Sequence, residues 1–158
     1  MKKILALILF FIFIFSYISA EVNWIDYNKS REISKKQNKT ILLYFYSTNC
    51  PYCQKMEDEI FADKSISGII NENFIPVKIN LQKNETIDKG GQFETTLELA
   101  RHYQVRGTPN TYFIDFENNP LTRVPGFAPP KTFKILLNYI ASESYKNIEW
   151  KEYYNKRK

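Results

Sequence analysis

The sequence predicts an α/β domain, and three observations carry that expectation. Apolar, β-rich runs recur at 40–46, 74–80 and 111–115. Segments with helical spacing of apolar residues lie between and after them, and Gly, Pro and Asn clusters mark the joints. The 44% hydrophobic and 16% aromatic composition is that of a chain that folds rather than one that stays disordered.

Residues 1–20 read as a secretory signal peptide. Lys2 and Lys3 form a positive start, 4–15 an apolar stretch, and Ser19-Ala20 the small residues of a cleavage site. Ile18 departs from the small-x-small pattern, so an uncleaved N-terminal anchor is the alternative. The apolar run 4–18 would extend only about 22 Å as a helix against a hydrocarbon core of ~30 Å, which favours cleavage. The expected domains are therefore a signal peptide, 1–20, and one globular unit, 21–158, in a periplasmic or otherwise exported location. Losing Lys2 and Lys3 lowers the formal charge from +5 to +3, since no acid precedes Glu21. That modest balance, with acids scattered among bases, gives no reason to expect nucleic acid.

The first predicted helix is 24–37, with Trp24, Tyr27 and Ile33 free to face a core. The strand at 40–46 alternates weakly, which predicts burial on both faces and a central place in the sheet. A helix follows over 54–60, and Asp63 is placed to cap a second one through Ile66, Ile69 and Ile70, ending near Asn73. The strand at 74–80 leads into a polar stretch, 81–93, read as an excursion from the core. Residues 95–103 return to helix, with Leu97, Ala100 and Tyr103 facing inward and His102 a surface or packing residue. Pro109 cannot donate to a β-ladder and so belongs at the start of the strand at 111–115. Residues 117–120 form a hairpin turn, 121–124 the partner strand, and Gly126 a bulge or a close backbone approach. Phe133, Leu136, Leu137 and Ile140 recur at helical spacing within 131–142, and Tyr145, Trp150, Tyr153 and Tyr154 predict a tail folded back on the domain.

Cys50-Pro51-Tyr52-Cys53 stands at the junction of the central strand and the next helix, and these are the only two cysteines. With Pro51 opening the helix, Cys50 falls at the N-cap, where unpaired N–H groups and the helix dipole favour a thiolate. Thiols so placed have pKa values lowered from about 8.5 to roughly 3.5–7.5. Cys50 is the expected attacking sulfur, and Cys53, one turn inside, the resolving one. A zinc site would need two further ligands where His102 is the single histidine, so no metal is expected. An inert structural disulfide is the other reading; a four-residue loop constrains the unfolded chain little.

With Arg106-Gly107-Thr108-Pro109 and Gly126 added to the Cys-x-x-Cys pair, the chain resembles the thioredoxin family over roughly 24–140, and more narrowly its exported, SoxW-like branch. The resemblance implies a thioredoxin fold, a central mixed β-sheet flanked by helices. It implies a cis peptide at Pro109, which puts the Thr108 backbone beside Cys50 where an extended partner can pair. Pro51, Tyr52, Thr108 and Pro109 are then the substrate-binding residues, and no cofactor is needed beyond the redox-active Cys50–Cys53 disulfide. Two positions depart from the family. Tyr44 stands where thioredoxins carry a buried acid that serves the resolving cysteine, leaving Glu57, one turn beyond Cys53, as the candidate for proton transfer. Asn49 replaces the tryptophan before the first cysteine, while Tyr46 keeps an aromatic beneath the site. The expected activity is reduction of disulfides in partner proteins, with electrons from a membrane-embedded thiol transporter and a monomeric enzyme. A disulfide oxidase or isomerase, and a peptide-binding module with an idle dithiol, are the alternatives.

Overall fold

The computed structural model describes residues 21–88 and 91–158; the signal peptide expected at 1–20 lies outside the described residues. In chain order the elements are α1 (Tyr27–Gln37), β1 (Thr40–Tyr46), α2 (Pro51–Lys55), a π-helical stretch (Met56–Phe61), α3 (Lys64–Asn73), β2 (Phe74–Asn80), α4 (Thr96–His102), β3 (Asn110–Ile114), β4 (Pro120–Pro125), α5 (Pro130–Ala141), a 3₁₀ turn (Ser144–Lys146) and α6 (Trp150–Asn155). The sheet has the order β2-β1-β3-β4. β1 runs parallel to β2, with Thr40 opposite Phe74, and antiparallel to β3, with Leu43 opposite Tyr112. β4 completes the sheet antiparallel to β3.

The alternation within β1 divides the core in two. Leu42 and Tyr44 face Met56, Ile60, Phe61, Ile70, Phe133 and Leu137, the layer of the π-helical stretch, α3 and α5. Ile41, Leu43 and Phe45 face Tyr27, Leu99, Ala100 and Tyr103, the layer of α1 and α4. Burial of a fully enclosed side chain such as Phe133 stabilises by roughly 1.5–3 kcal/mol. Both faces of β1 are covered, as its continuous apolar run predicts. Pro76 sits within β2 because that strand is an edge, where a missing N–H breaks no ladder bond; its carbonyl accepts from the Ile25 N–H at 2.8 Å.

Several expectations need correction. α1 begins at Tyr27, not Trp24: Asp26 is extended (φ −61°, ψ 140°), and the preceding residues lie along β2. Trp24 instead packs edge-on to Phe61 at 5.0 Å and stacks on Tyr44 at 6.0 Å. The inward leucine of α4 is Leu99, fully buried, while Leu97 is half-buried, because Leu99 shares a helical face with Thr96, Ala100 and Tyr103 and Leu97 lies off it; Thr95 caps the helix in a capping box with Glu98. The stretch after β2 is tied to the core rather than detached from it. Thr86 bridges Thr95, and Leu81, Ile87 and Phe93 pack against the α1/α4 layer. Gly126 is needed for its φ of +81°; a Cβ there would meet nothing within 4 Å, and the strand irregularity falls at Phe113/Ile114 instead.

Asp63 caps α3 through hydrogen bonds from the Ser65 and Ile66 amides at 2.8 and 3.0 Å. The tail folds back: Tyr153 is buried, and Tyr139 lies between Trp150 and Tyr153 at 5.4 and 4.8 Å. Among the described residues no helix is long and apolar enough to cross a membrane.

Candidate active site

β1 ends at Tyr46, and a three-residue loop delivers Cys50 to the N-cap of α2 in extended conformation (φ −110°, ψ 109°) with Pro51 as the first helical residue. Cys50 and Cys53 are joined as a disulfide, with Cα atoms 5.1 Å apart. The Cys53 amide donates to Cys50 Sγ at 3.0 Å, an N–H directed at the position a thiolate occupies in the reduced state. Cys50 is half-buried and Cys53 is 3% exposed, so an incoming sulfur meets Cys50 first. Pro51 and Tyr52 stand on the outer rim, with Tyr52 61% exposed.

The loop before β3 approaches from the other side. The Thr108–Pro109 peptide is cis. It brings the Thr108 carbonyl oxygen to 3.5 Å from Cys50 Sγ. Two contacts hold this loop: the Thr108 hydroxyl pairs with the Ser47 hydroxyl at 2.8 Å, and the Gly126 amide donates to the Pro109 carbonyl at 2.8 Å. Ser47 was not singled out from the sequence, since nothing local marks a serine whose partner lies 61 residues away.

Beneath the dithiol the surroundings are side chains. Tyr44, fully buried, donates its hydroxyl to the Cys53 carbonyl at 3.5 Å. Burial, and next the negative charge of Glu57, push its phenol above the usual range. Glu57 pairs with Lys78 at 2.7 Å, both half-buried, and the Lys78 ammonium also lies over the Tyr46 ring at 4.6 Å and the Trp24 ring at 5.6 Å. Lys78 is the cross-strand partner of Tyr44 in the β1–β2 ladder. Thus the strand position that lacks an acid is flanked by a lysine and by a carboxylate from the helix. His102 is exposed, its ring 4.5 Å from Phe93.

A strand-to-helix Cys-x-x-Cys faced by a cis-proline loop on a four-stranded mixed sheet defines the class as thioredoxin-like. Residues 27–141 match the thioredoxin-like domain family, and the chain belongs to it. It is 32% identical over 113 residues to the disulfide bond reductase DsbH of Chlamydia pneumoniae, a match covering 70% of this chain and 66% of that protein. It is 25% identical over 123 residues to the thiol:disulfide interchange protein DsbD of Vibrio vulnificus, covering 73% of this chain and 19% of that one. The chain thus spans just under two thirds of the first relative and a fifth of the second. Among solved structures, a thioredoxin-fold protein from Helicobacter pylori superposes with a TM-score of 0.65 at 26% identity, covering 76% of this chain and 80% of that one. The SoxW-like branch is a narrower assignment than these matches reach.

Proposed function

We propose that this protein is an exported thiol–disulfide oxidoreductase that reduces disulfides of partner proteins. The observation that carries the reading is Cys50 Sγ, held at a helix N-cap 3.0 Å from the Cys53 amide and 3.5 Å from the Thr108 carbonyl, with the second sulfur buried behind it. The Cys50 thiolate attacks one sulfur of the partner disulfide and expels the other as a thiolate. Cys53, deprotonated, then attacks Cys50 Sγ, closing the Cys50–Cys53 disulfide and releasing the second partner thiolate, so two electrons pass to the partner. Thr108 and Pro109 offer a backbone edge to the partner segment, and Pro51 and Tyr52 supply its outer contact. Glu57, paired with Lys78 beside Tyr44, accepts the Cys53 proton through water.

The reducing direction is supported by the similarity to DsbH, which is a disulfide bond reductase. Export rests on the signal-peptide pattern of 1–20. Outside the cytosol the dithiol must be recharged, and a membrane-embedded thiol transporter is the reductant this requires. The working enzyme is a monomer whose redox group is its own disulfide.

Turnover of insulin disulfides with dithiothreitol tests the reading. Wild type accelerates reduction, Cys50→Ser is inactive, and Cys53→Ser accumulates a mixed disulfide with the partner. Equal inactivity of all three proteins would instead describe a peptide-binding module.

A further inference from the structure

On the Pro109 side of the reacting sulfur the surface opens into a cavity of about 560 Å³, lined by Arg106, Thr108, Pro109, Asn110, Arg123 and Gly126 among others. Its floor and its rim differ in chemistry. Asn110 is 6% exposed, and its Oδ1 has no hydrogen-bond partner among the described residues. Leaving such a group unmet costs about 1–3 kcal/mol, so a buried carboxamide at a cavity wall points to a ligand that completes it.

The rim is cationic. Arg106 and Arg123 are exposed, and neither forms an ion pair with an acid among the described residues. Arg123 is held in place: it faces Tyr112 across the β3–β4 ladder and donates to the Tyr112 hydroxyl at 3.3 Å, which in turn donates to the Tyr103 carbonyl. Thr108 ties the cavity to the chemistry, since it lines the wall while its carbonyl oxygen lies 3.5 Å from Cys50 Sγ. A disulfide seated on Cys50 and running along the Thr108 edge puts the group next to its reacting sulfur into this space.

We propose that the cavity is a carboxylate subsite that selects disulfides bearing a carboxylate next to the attacked sulfur. This rests on the oxidoreductase reading and deepens it. The Arg106 and Arg123 guanidinium groups take the charge, in charge-assisted hydrogen bonds about twice as strong as neutral ones. The Asn110 Oδ1 accepts an N–H of the same bound segment. The carboxylate has two sources of the same chemistry: an acidic residue beside a cysteine in a polypeptide, or a low-mass acidic disulfide such as that of glutathione.

The test measures kcat/KM of the reduced protein on two substrate pairs at low salt. One pair is a peptide disulfide with Asp or with Lys beside the cysteine; the other is glutathione disulfide and its tetraethyl ester. The acidic member of at least one pair is expected to be favoured roughly tenfold, mainly through KM, with the preference largely screened away at about 0.5 M salt. Preference in the peptide pair assigns the subsite to polypeptides, and preference in the glutathione pair alone assigns it to low-mass disulfides. The Arg106→Glu/Arg123→Glu double variant is expected to reverse the preference; retention of the wild-type preference overturns the role of these arginines. Equal rates within both pairs, from a protein that still reduces insulin, overturn the subsite and leave the oxidoreductase reading standing. Failure to reduce any disulfide, insulin included, overturns the reading beneath it.

Discussion

Cys50 is surrounded mainly by backbone, Cys53 mainly by side chains. The first meets an amide at 3.0 Å and a carbonyl at 3.5 Å, both fixed by the helix start and the cis-proline loop. The second lies over Tyr44, with Glu57 and Lys78 on the same side of the sheet. Backbone geometry survives wide changes of sequence, because any residue supplies an N–H and a C=O. Proton management behind the resolving sulfur depends on which side chains are present. Here the strand acid is replaced by a phenol that burial keeps neutral, and the nearby carboxylate comes from the helix. In the proposed reaction the outer half sets the class of chemistry, and the inner half sets how fast the disulfide closes.

The largest effect should come from the outer half. Cys50→Ser is expected to lower insulin reduction by about 10³-fold or more, the scale of losing a nucleophile, whereas Cys53→Ser stops after one event and is seen by mass spectrometry as a mixed disulfide. The inner half should respond more gently and with a different signature. Glu57→Gln is expected to slow closure of the mixed disulfide by roughly tenfold near neutral pH, while attack by Cys50 is unchanged; single-turnover quenching separates the two steps. A uniform loss in both steps would place Glu57 in folding rather than in proton transfer.

Stability offers a further comparison. Burial raises the phenol of Tyr44, and raises that of Tyr103 to about 12, against an ordinary value of about 10. A raised folded-state value means that the fold favours the neutral phenol. Their contribution is present throughout the range below about pH 10 and is lost as pH climbs from there through the folded-state values. Urea midpoints should be flat from about pH 7 to 9.5 and fall above 10, and Tyr103→Phe should make that fall shallower. Asp63→Ala, which removes the cap of α3, should cost only about 1 kcal/mol in thermal unfolding and leave reduction of insulin unaltered. Since hydrogen bonds from Ser65 and Ile66 lower the Asp63 carboxyl pKa, the stabilisation it supplies is present above about pH 4 and is lost as acid carries pH down through that lowered value.

The same division explains what could be read from the chain alone. The Cys-x-x-Cys at a strand-to-helix joint, Asp63 before its helix and Gly-Thr-Pro before β3 are local patterns, and each stands where the sequence puts it. The partners that complete the site are remote. Ser47 meets Thr108 through the fold, and Lys78 reaches Glu57 only because β1 and β2 pair with Tyr44 opposite Lys78. Trp24 looks like part of a helix by its spacing to Tyr27, yet an extended segment beside the edge strand gives its ring a place on Tyr44 and Phe61. In α4 the inward leucine is Leu99 and not Leu97, because the buried face runs through Thr96, Leu99, Ala100 and Tyr103 at spacings of three and four, and Leu97 lies off that stripe.

The equilibrium redox potential of the Cys50/Cys53 pair, measured against dithiothreitol or glutathione buffers, bears most directly on the proposed reductase. Thioredoxin lies near about −270 mV and the strongly oxidising Dsb-type enzyme near about −120 mV, a span of roughly 7 kcal/mol for two electrons. A value close to the thioredoxin end is the expected result. A value close to the oxidising end would contradict the account and make the protein a disulfide donor.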